Sequence, residues 1–325
     1  MRRRDFIILL GAGAALSSTR SRAQPQSKTY TIGYLASARI PLQIEALQDG
    51  FRKFGYIEGQ NLKIEYRFLQ GTSATLDALA AELVQLRPDV IVTLGTPSVI
   101  AAKQATRTIP IVMAAAGDPL GSGIVASLAH PGGNITGVTL YGSELAGKRV
   151  AVFKEAVPGI ASVAVLGNAR NPFNTQLLWP QTQAAARSLG LEARLFTVHE
   201  PAELSAAFEG MAQNVVGGLV VLSDNLFYST RRTIIGLAAR HRLAAIYEDR
   251  EFVADGGLLS YGPNISEMQR QAAVLVDKIL KGSNPGDLPI EQPTRFDLVI
   301  NLKTAAALGL DMPTQLQQLA DEVIE

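Results

Sequence analysis

Two hydrophobic patterns alternate along the chain. Short apolar runs rich in β-branched residues, such as Val90-Ile91-Val92 and Ile109-Pro110-Ile111-Val112, read as strands buried on both faces. Between such runs lie stretches with apolar residues at helical spacing, such as Ile44, Leu47, Phe51 and Phe54, or Leu76, Leu79, Leu83 and Leu86. The first half predicts strands over Tyr30 to Leu35, Leu62 to Phe68, the two runs above, and Ile135 to Thr139. Helices are expected from Leu42 to Phe54, from Leu76 to Leu86, and after Thr96-Pro97, with Thr96 as N-cap and Pro97 in the first turn.

The pattern then restarts. A helix over Glu144 to Val157 precedes strands Ser162 to Leu166, Leu191 to Thr197, Gly218 to Leu222 and Ala244 to Tyr247. Helices are expected through Ala184 to Leu189, from Glu203 to Met211 and from Thr230 to His241. Short links between alternating strands and helices predict parallel sheets with right-handed crossovers. The fold class is therefore α/β: two doubly wound parallel-sheet lobes joined by a multi-strand hinge. The tail supplies the crossings, with a strand over Gly256 to Gly262, a helix over Met268 to Leu280 and a last strand over Phe296 to Ile300. Lobe 1 is assigned residues 28–139 plus 262–285, and lobe 2 residues 140–261 plus 286–325.

The first residues read as an export signal. Arg2-Arg3-Arg4 is a basic start, Phe6 to Leu16 is apolar, and Ser21-Arg22-Ala23 offers a small-x-small cleavage pattern after Ala23. The apolar stretch is too short to span a bilayer, which takes about 20 residues. Arg3-Arg4-Asp5-Phe6-Ile7 also fits a twin-arginine export motif. Removing 1–23 takes five arginines and one aspartate from the 30 basic and 29 acidic residues, turning a net charge of +1 into −3. The remainder has no electrostatic case for nucleic acid. The absence of cysteine excludes disulfides, thiolate metal sites, cysteine nucleophiles and a lipidated cysteine. A free periplasmic protein, twin-arginine export and a monomer are the expectations.

Candidate chemistry collects at the strand ends, where open parallel sheets bind ligands. Lobe 1 offers Tyr34, Ser37, Thr96, Ser98 and Asp118; lobe 2 offers Asn168, Asn171, Asn174, Asp224, Asn225 and Glu248, with Tyr261 near a crossing. Helix N-termini for an anion, carboxylates for a cation and aromatic rings for an apolar body suit a zwitterion such as an amino acid. Enzyme signals are poor. His130, His199 and His241 form no HExxH pair, and no GxSxG or GxxxxGK[ST] motif occurs. The glycine-rich Gly117 to Gly123 lacks the lysine of a phosphate loop, and Gly11-Ala12-Gly13 lies within the signal. No catalytic residue, metal or cofactor is expected. An exported enzyme or a periplasmic sensor subunit are the alternatives.

Several collinear segments resemble one family. They include Phe54-Gly55-Tyr56-Ile57-Glu58-Gly59-Gln60-Asn61, Gly117-Asp118-Pro119, Ala129-His130-Pro131-Gly132-Gly133-Asn134, Gly256 to Gly262, and Glu291-Gln292-Pro293-Thr294-Arg295-Phe296. The chain resembles ABC transporter substrate-binding proteins of the tryptophan-binding-protein-like group, which have a type I periplasmic binding fold. Leu222-Ser223-Asp224-Asn225 partly matches the proline–threonine–aspartate–asparagine pattern of tryptophan binders. The resemblance implies an aromatic amino acid as ligand, its carboxylate on Thr96 and Ser98 and its ammonium on Asp224. It also implies an inner-membrane ABC permease as partner.

Overall fold

A computed structural model describes residues 28–69, 75–140, 142–171 and 173–325. The signal segment 1–23 lies outside the described residues.

The first sheet is built from β1 (Tyr30–Ala36), β2 (Leu62–Phe68), β3 (Val90–Leu94), β4 (Ile111–Ala116) and β5 (Ile135–Thr139), in the order β2-β1-β3-β4-β5 and all parallel. Helix α1 (Pro41–Lys53) lies on one face; α2 (Leu76–Gln85) and α3 (Thr96–Ala105) lie on the other. Side-chain alternation explains the two layers. In β3, Val90, Val92 and Leu94 join the cluster beneath α1, while Ile91 joins the one beneath α2 and α3. Both faces are dry, so the strand reads as a continuous apolar run.

The second sheet begins after α4 (Gly142–Ala156). It contains β6 (Ser162–Asn168), β7 (Glu192–Val198), β8 (Gly218–Val221) and β9 (Ala244–Tyr247), with α5 (Trp179–Ser188), α6 (Leu204–Gln213), α7 (Asn225–Ser229), α8 (Arg231–Arg240) and α9 (Arg250–Ala254) between and beyond them. Next comes β10 (Leu259–Gly262), then α10 (Ile265–Leu280), β11 (Asp297–Asn301), α11 (Leu302–Leu308), α12 (Thr314–Leu319) and β12 (Glu322–Ile324). The strand order is β12-β11-β10-β9-β8-β6-β7, and β11 runs antiparallel to β10. That one reversal departs from the all-parallel expectation. The chain returns from lobe 1 at the same edge it left, so its last long strand enters from the opposite end.

Helix α10 follows a strand of the second sheet yet packs on the first, against α1, β3, β4 and β5. It starts at Ile265, earlier than the apolar spacing predicts, because Asn264 caps it by accepting from the Glu267 N–H at 3.0 Å. Tyr56 fastens the far end, its hydroxyl donating to Asp277 Oδ1 at 3.0 Å. Burial and the neighbouring Asp277 push the Tyr56 phenol up to about 12. Gly50 lets the two helices approach: a Cβ there would lie 2.6 Å from Ala273 Cβ. Gly50→Leu is therefore expected to destabilise the protein by about 1–3 kcal/mol, the usual cost of overpacking, read as a lowered midpoint of thermal unfolding.

The third crossing hugs lobe 1 before leaving it. Thr136 Oγ1 donates to Leu288 O at 2.9 Å, Ile290 N to Leu128 O at 2.8 Å, and Glu291 N to Gly137 O at 2.9 Å. The chain passes to lobe 2 between Glu291 and β11, with residues 286–291 held on lobe 1.

Candidate ligand-binding cleft

The carboxyl ends of both sheets face each other and enclose a cavity of about 50 Å³. Lobe 1 lines it with Ser37 beyond β1, Gln43 of α1, Gly95, Thr96 and Pro97 at the start of α3, and Gly117 beyond β4. Lobe 2 supplies Asn168, Asn171, Phe173, Ser223, Asp224, Asn225, Tyr228 and Asp249.

The start of α3 differs by one residue from the expected cap. Gly95 takes the N-cap position with φ 83°, a conformation glycine adopts at little cost, and Thr96 becomes the first helical residue. The Thr96 hydroxyl is thereby freed from capping. It accepts from the Gly117 N–H at 3.0 Å and joins the loops after β3 and β4.

Asp224 anchors the other side. Its Oδ1 accepts from Asn168 Nδ2 at 3.0 Å and from Leu226 N at 2.8 Å, and its Oδ2 from Asn171 Nδ2 at 2.7 Å. Asn174 sets this arrangement from behind: its Oδ1 accepts from Asn168 N at 3.0 Å, and its Nδ2 donates to Ser223 O at 2.8 Å. A carboxylate has about four acceptor positions, and the described residues fill three. Burial pushes the Asp224 carboxyl above the usual range, although the bonds from Asn171, Asn168 and Leu226 oppose the shift. Among the described residues no arginine or lysine pairs with it. Asp249 stands next along the rim, pushed well above the usual range by burial and by Glu248 and Glu251 beside it, against the pull of Arg149 and Arg231.

The lobes touch around this cavity. Asn225 Nδ2 donates to Leu94 O at 3.1 Å, across the gap. Phe173 is buried with its ring so close over Gly117 that a Cβ there would overlap it.

Of the residues singled out from sequence, Ser37, Thr96, Asn168, Asn171, Asp224 and Asn225 line the cavity together. The other six are placed elsewhere. Tyr34 is buried within lobe 1, its ring 5.8 Å from that of Tyr66 and 5.9 Å from that of Phe68. Ser98 is wholly buried in α3, its hydroxyl without a described partner. Asp118 folds back on its own loop, accepting from Leu120 N and Gly121 N at 3.1 and 2.9 Å. Asn174 stands behind the rim. Glu248 turns inward to Arg149, at 3.4 Å in a buried ion pair, and Tyr261 packs on Phe296 while its carbonyl accepts from Arg149 Nε at 3.0 Å.

Gln43, Phe173, Tyr228 and Asp249 were not singled out. Gln43 had a signal, being polar on the apolar face that holds Leu47 and Phe51. Phe173, an aromatic residue in a polar strand-end loop, had another. Asp249 differs from Glu248 only by the alternation of side chains at the end of β9.

Two α/β lobes closing polar strand ends over a cavity define a substrate-binding protein of the type I periplasmic binding fold. A family model described as ABC transporter substrate binding protein matches residues 39–324, and the chain belongs to this family. The family is one of binding proteins, not enzymes. A tyrosine-binding protein of Clostridioides difficile is 28% identical over 267 residues, covering 82% of this chain and 75% of that protein. A conserved domain protein of Vibrio cholerae is similar in structure, with a TM-score of 0.85 and 29% identity over 91% of this chain and 100% of the other. So is an ABC domain in complex with L-Trp from Streptococcus pneumonia, with a TM-score of 0.84 and 27% identity over the same shares. No helix among the described residues is long and apolar enough to cross a membrane.

Proposed function

We propose that this chain captures a free amino acid with an aromatic side chain between its lobes. It acts as a periplasmic monomer, released from its signal after Ala23, and delivers the ligand to an inner-membrane ABC permease. The observation that carries this reading is Asp224: among the described residues it has no cation partner and three of its acceptor positions filled, and it stands on the cavity wall opposite the start of α3. The ligand ammonium completes Asp224. Its carboxylate takes the positive end of α3 at Thr96, with Ser98 buried behind. The tyrosine and L-Trp named for two relatives support an aromatic ligand. The ligand enters with the lobes apart and is held between them when they close. Only its greater affinity for the closed form shifts the population.

The test is thermal shift and calorimetry against the twenty amino acids. An aromatic ligand at 100 times its Kd is expected to stabilise by about 2.7 kcal/mol, a rise of roughly 5–10 °C in Tm for a chain of this size. No shift with any amino acid would refute the proposal.

The raised Asp224 carboxyl also fixes the pH dependence. Its contribution to the free protein's stability is complete below the unfolded carboxyl value of about 4 and is lost as pH rises through the raised folded value. The ammonium pairs with the ionised form. Affinity is therefore expected to rise with pH across that interval, by up to about tenfold per unit, with proton release. Calorimetry in buffers of different ionisation heat reads that release; affinity independent of pH from 4 to 8 would contradict it.

A further inference from the structure

The interlobe contacts fix which strand ends oppose one another. Phe173, beyond β6, covers Gly117, beyond β4; Asn225, beyond β8, meets Leu94 at the end of β3. The next strands along each sheet are β9 and β1. Their ends bring Asp249 opposite Ser37 and Gln43, and all three line the same cavity.

This end of the cleft differs chemically from the Asp224 end. Gln43 is 3% exposed, and its Oε1 accepts no hydrogen bond from a described residue. Asp249 Oδ1 is buried and equally without a partner. Leaving a buried acceptor unmade is costly, so two facing each other across one cavity point to a donor supplied from outside the protein. With its carboxyl held toward the neutral acid, Asp249 does not require that donor to be a cation. An O–H or N–H suffices.

We propose that Gln43 and Asp249 form a second reading position, which accepts a hydrogen bond from the ligand's side chain and selects amino acids ending in a donor, as phenol and indole do and phenyl does not. The inference rests on the amino-acid reading of the cleft given above. A site built around a hydroxyl rejects the analogue lacking it far more strongly than an apolar pocket rejects a small change of size, because its own polar groups are left unpaired.

Calorimetry with two matched pairs tests this: L-tyrosine against L-phenylalanine, and L-tryptophan against its indole-N-methyl derivative. In the pair that binds more tightly, the wild-type protein is expected to prefer the donor-bearing member by about tenfold or more. Asp249→Leu and Gln43→Leu are expected to bring that ratio near one, leaving the other member's affinity equal or higher. Asp249→Asn keeps an acceptor oxygen and is expected to retain the preference; it also serves where Asp249→Leu does not fold, as judged by circular dichroism. Equal binding of both members by wild type, or a ratio that survives both leucine variants, would overturn the proposal. So would equal loss of both members in Asp249→Leu, which would make Asp249 the ammonium site. If no aromatic amino acid binds wild type, the amino-acid reading fails together with this one; if they bind without preference, this inference alone fails.

Discussion

Asp224→Ala is expected to weaken binding of an aromatic amino acid by about 30-fold to several thousandfold, measured by calorimetry. That range corresponds to the ~2–5 kcal/mol lost when one half of a buried, hydrogen-bonded charge pair is truncated. Asn168 and Asn171 lose their acceptor, but a desolvated carboxyl disappears with it. The two effects oppose each other in the free protein, so the unfolding midpoint is expected to move far less than the affinity. Asp224→Asn separates charge from shape: it keeps the side chain's outline and should lose binding almost as fully. Unchanged affinity in Asp224→Ala would remove the ammonium assignment.

The second large effect concerns closure. Gly117 sits under the Phe173 ring, and its backbone is in a region open to other residues, so a side chain there disturbs the contact between lobes and not the loop itself. Gly117→Val is expected to hold the lobes apart and lower affinity by about fivefold to 150-fold, the equivalent of ~1–3 kcal/mol of overpacking. Small-angle scattering of the ligand-saturated variant should show the larger radius of gyration of the open form. Adding Phe173→Ala makes room for the valine and should restore much of the closure. A compact, tightly binding Gly117→Val protein would show that the ring contact does not govern closing.

Much of the fold is legible in the sequence because each strand carries its own signal. Val90-Ile91-Val92 and Val163 to Leu166 are too apolar for anything but a doubly covered strand, and Gly190 stops its helix as expected. The antiparallel β11 was not legible: periodicity gives a strand but not its direction. In the cleft, network residues such as Asn168, Asn171 and Asp224 stand out because polar side chains at strand ends are where such sheets gather ligand groups. Which side chain of a pair faces inward is a finer matter. Glu248 and Asp249 are equivalent on paper, and only the buried Arg149 turns the first toward the protein interior and leaves the second on the cavity wall. Tyr34 shows the converse. It lies two residues before the end of β1, near Ser37, but the neighbouring rings of Tyr66 and Phe68 on β2 claim it for the core.

The placement of α10 also governs the order in which a ribosome can deliver a finished molecule. All five strands of the first sheet emerge before residue 140, yet the helix that shields one of their faces is encoded at Ile265–Leu280. At synthesis rates of about 5–20 residues per second, the nascent chain waits roughly 7–30 s with only α1 on that face and the rest of it uncovered. A holdase bound during this interval would hide Leu47, Phe51 and Val112, which later share one cluster with Ala272, Ala273 and Val276. A polypeptide stopped short of that helix would own every strand of the first lobe and still lack its lid against aggregation.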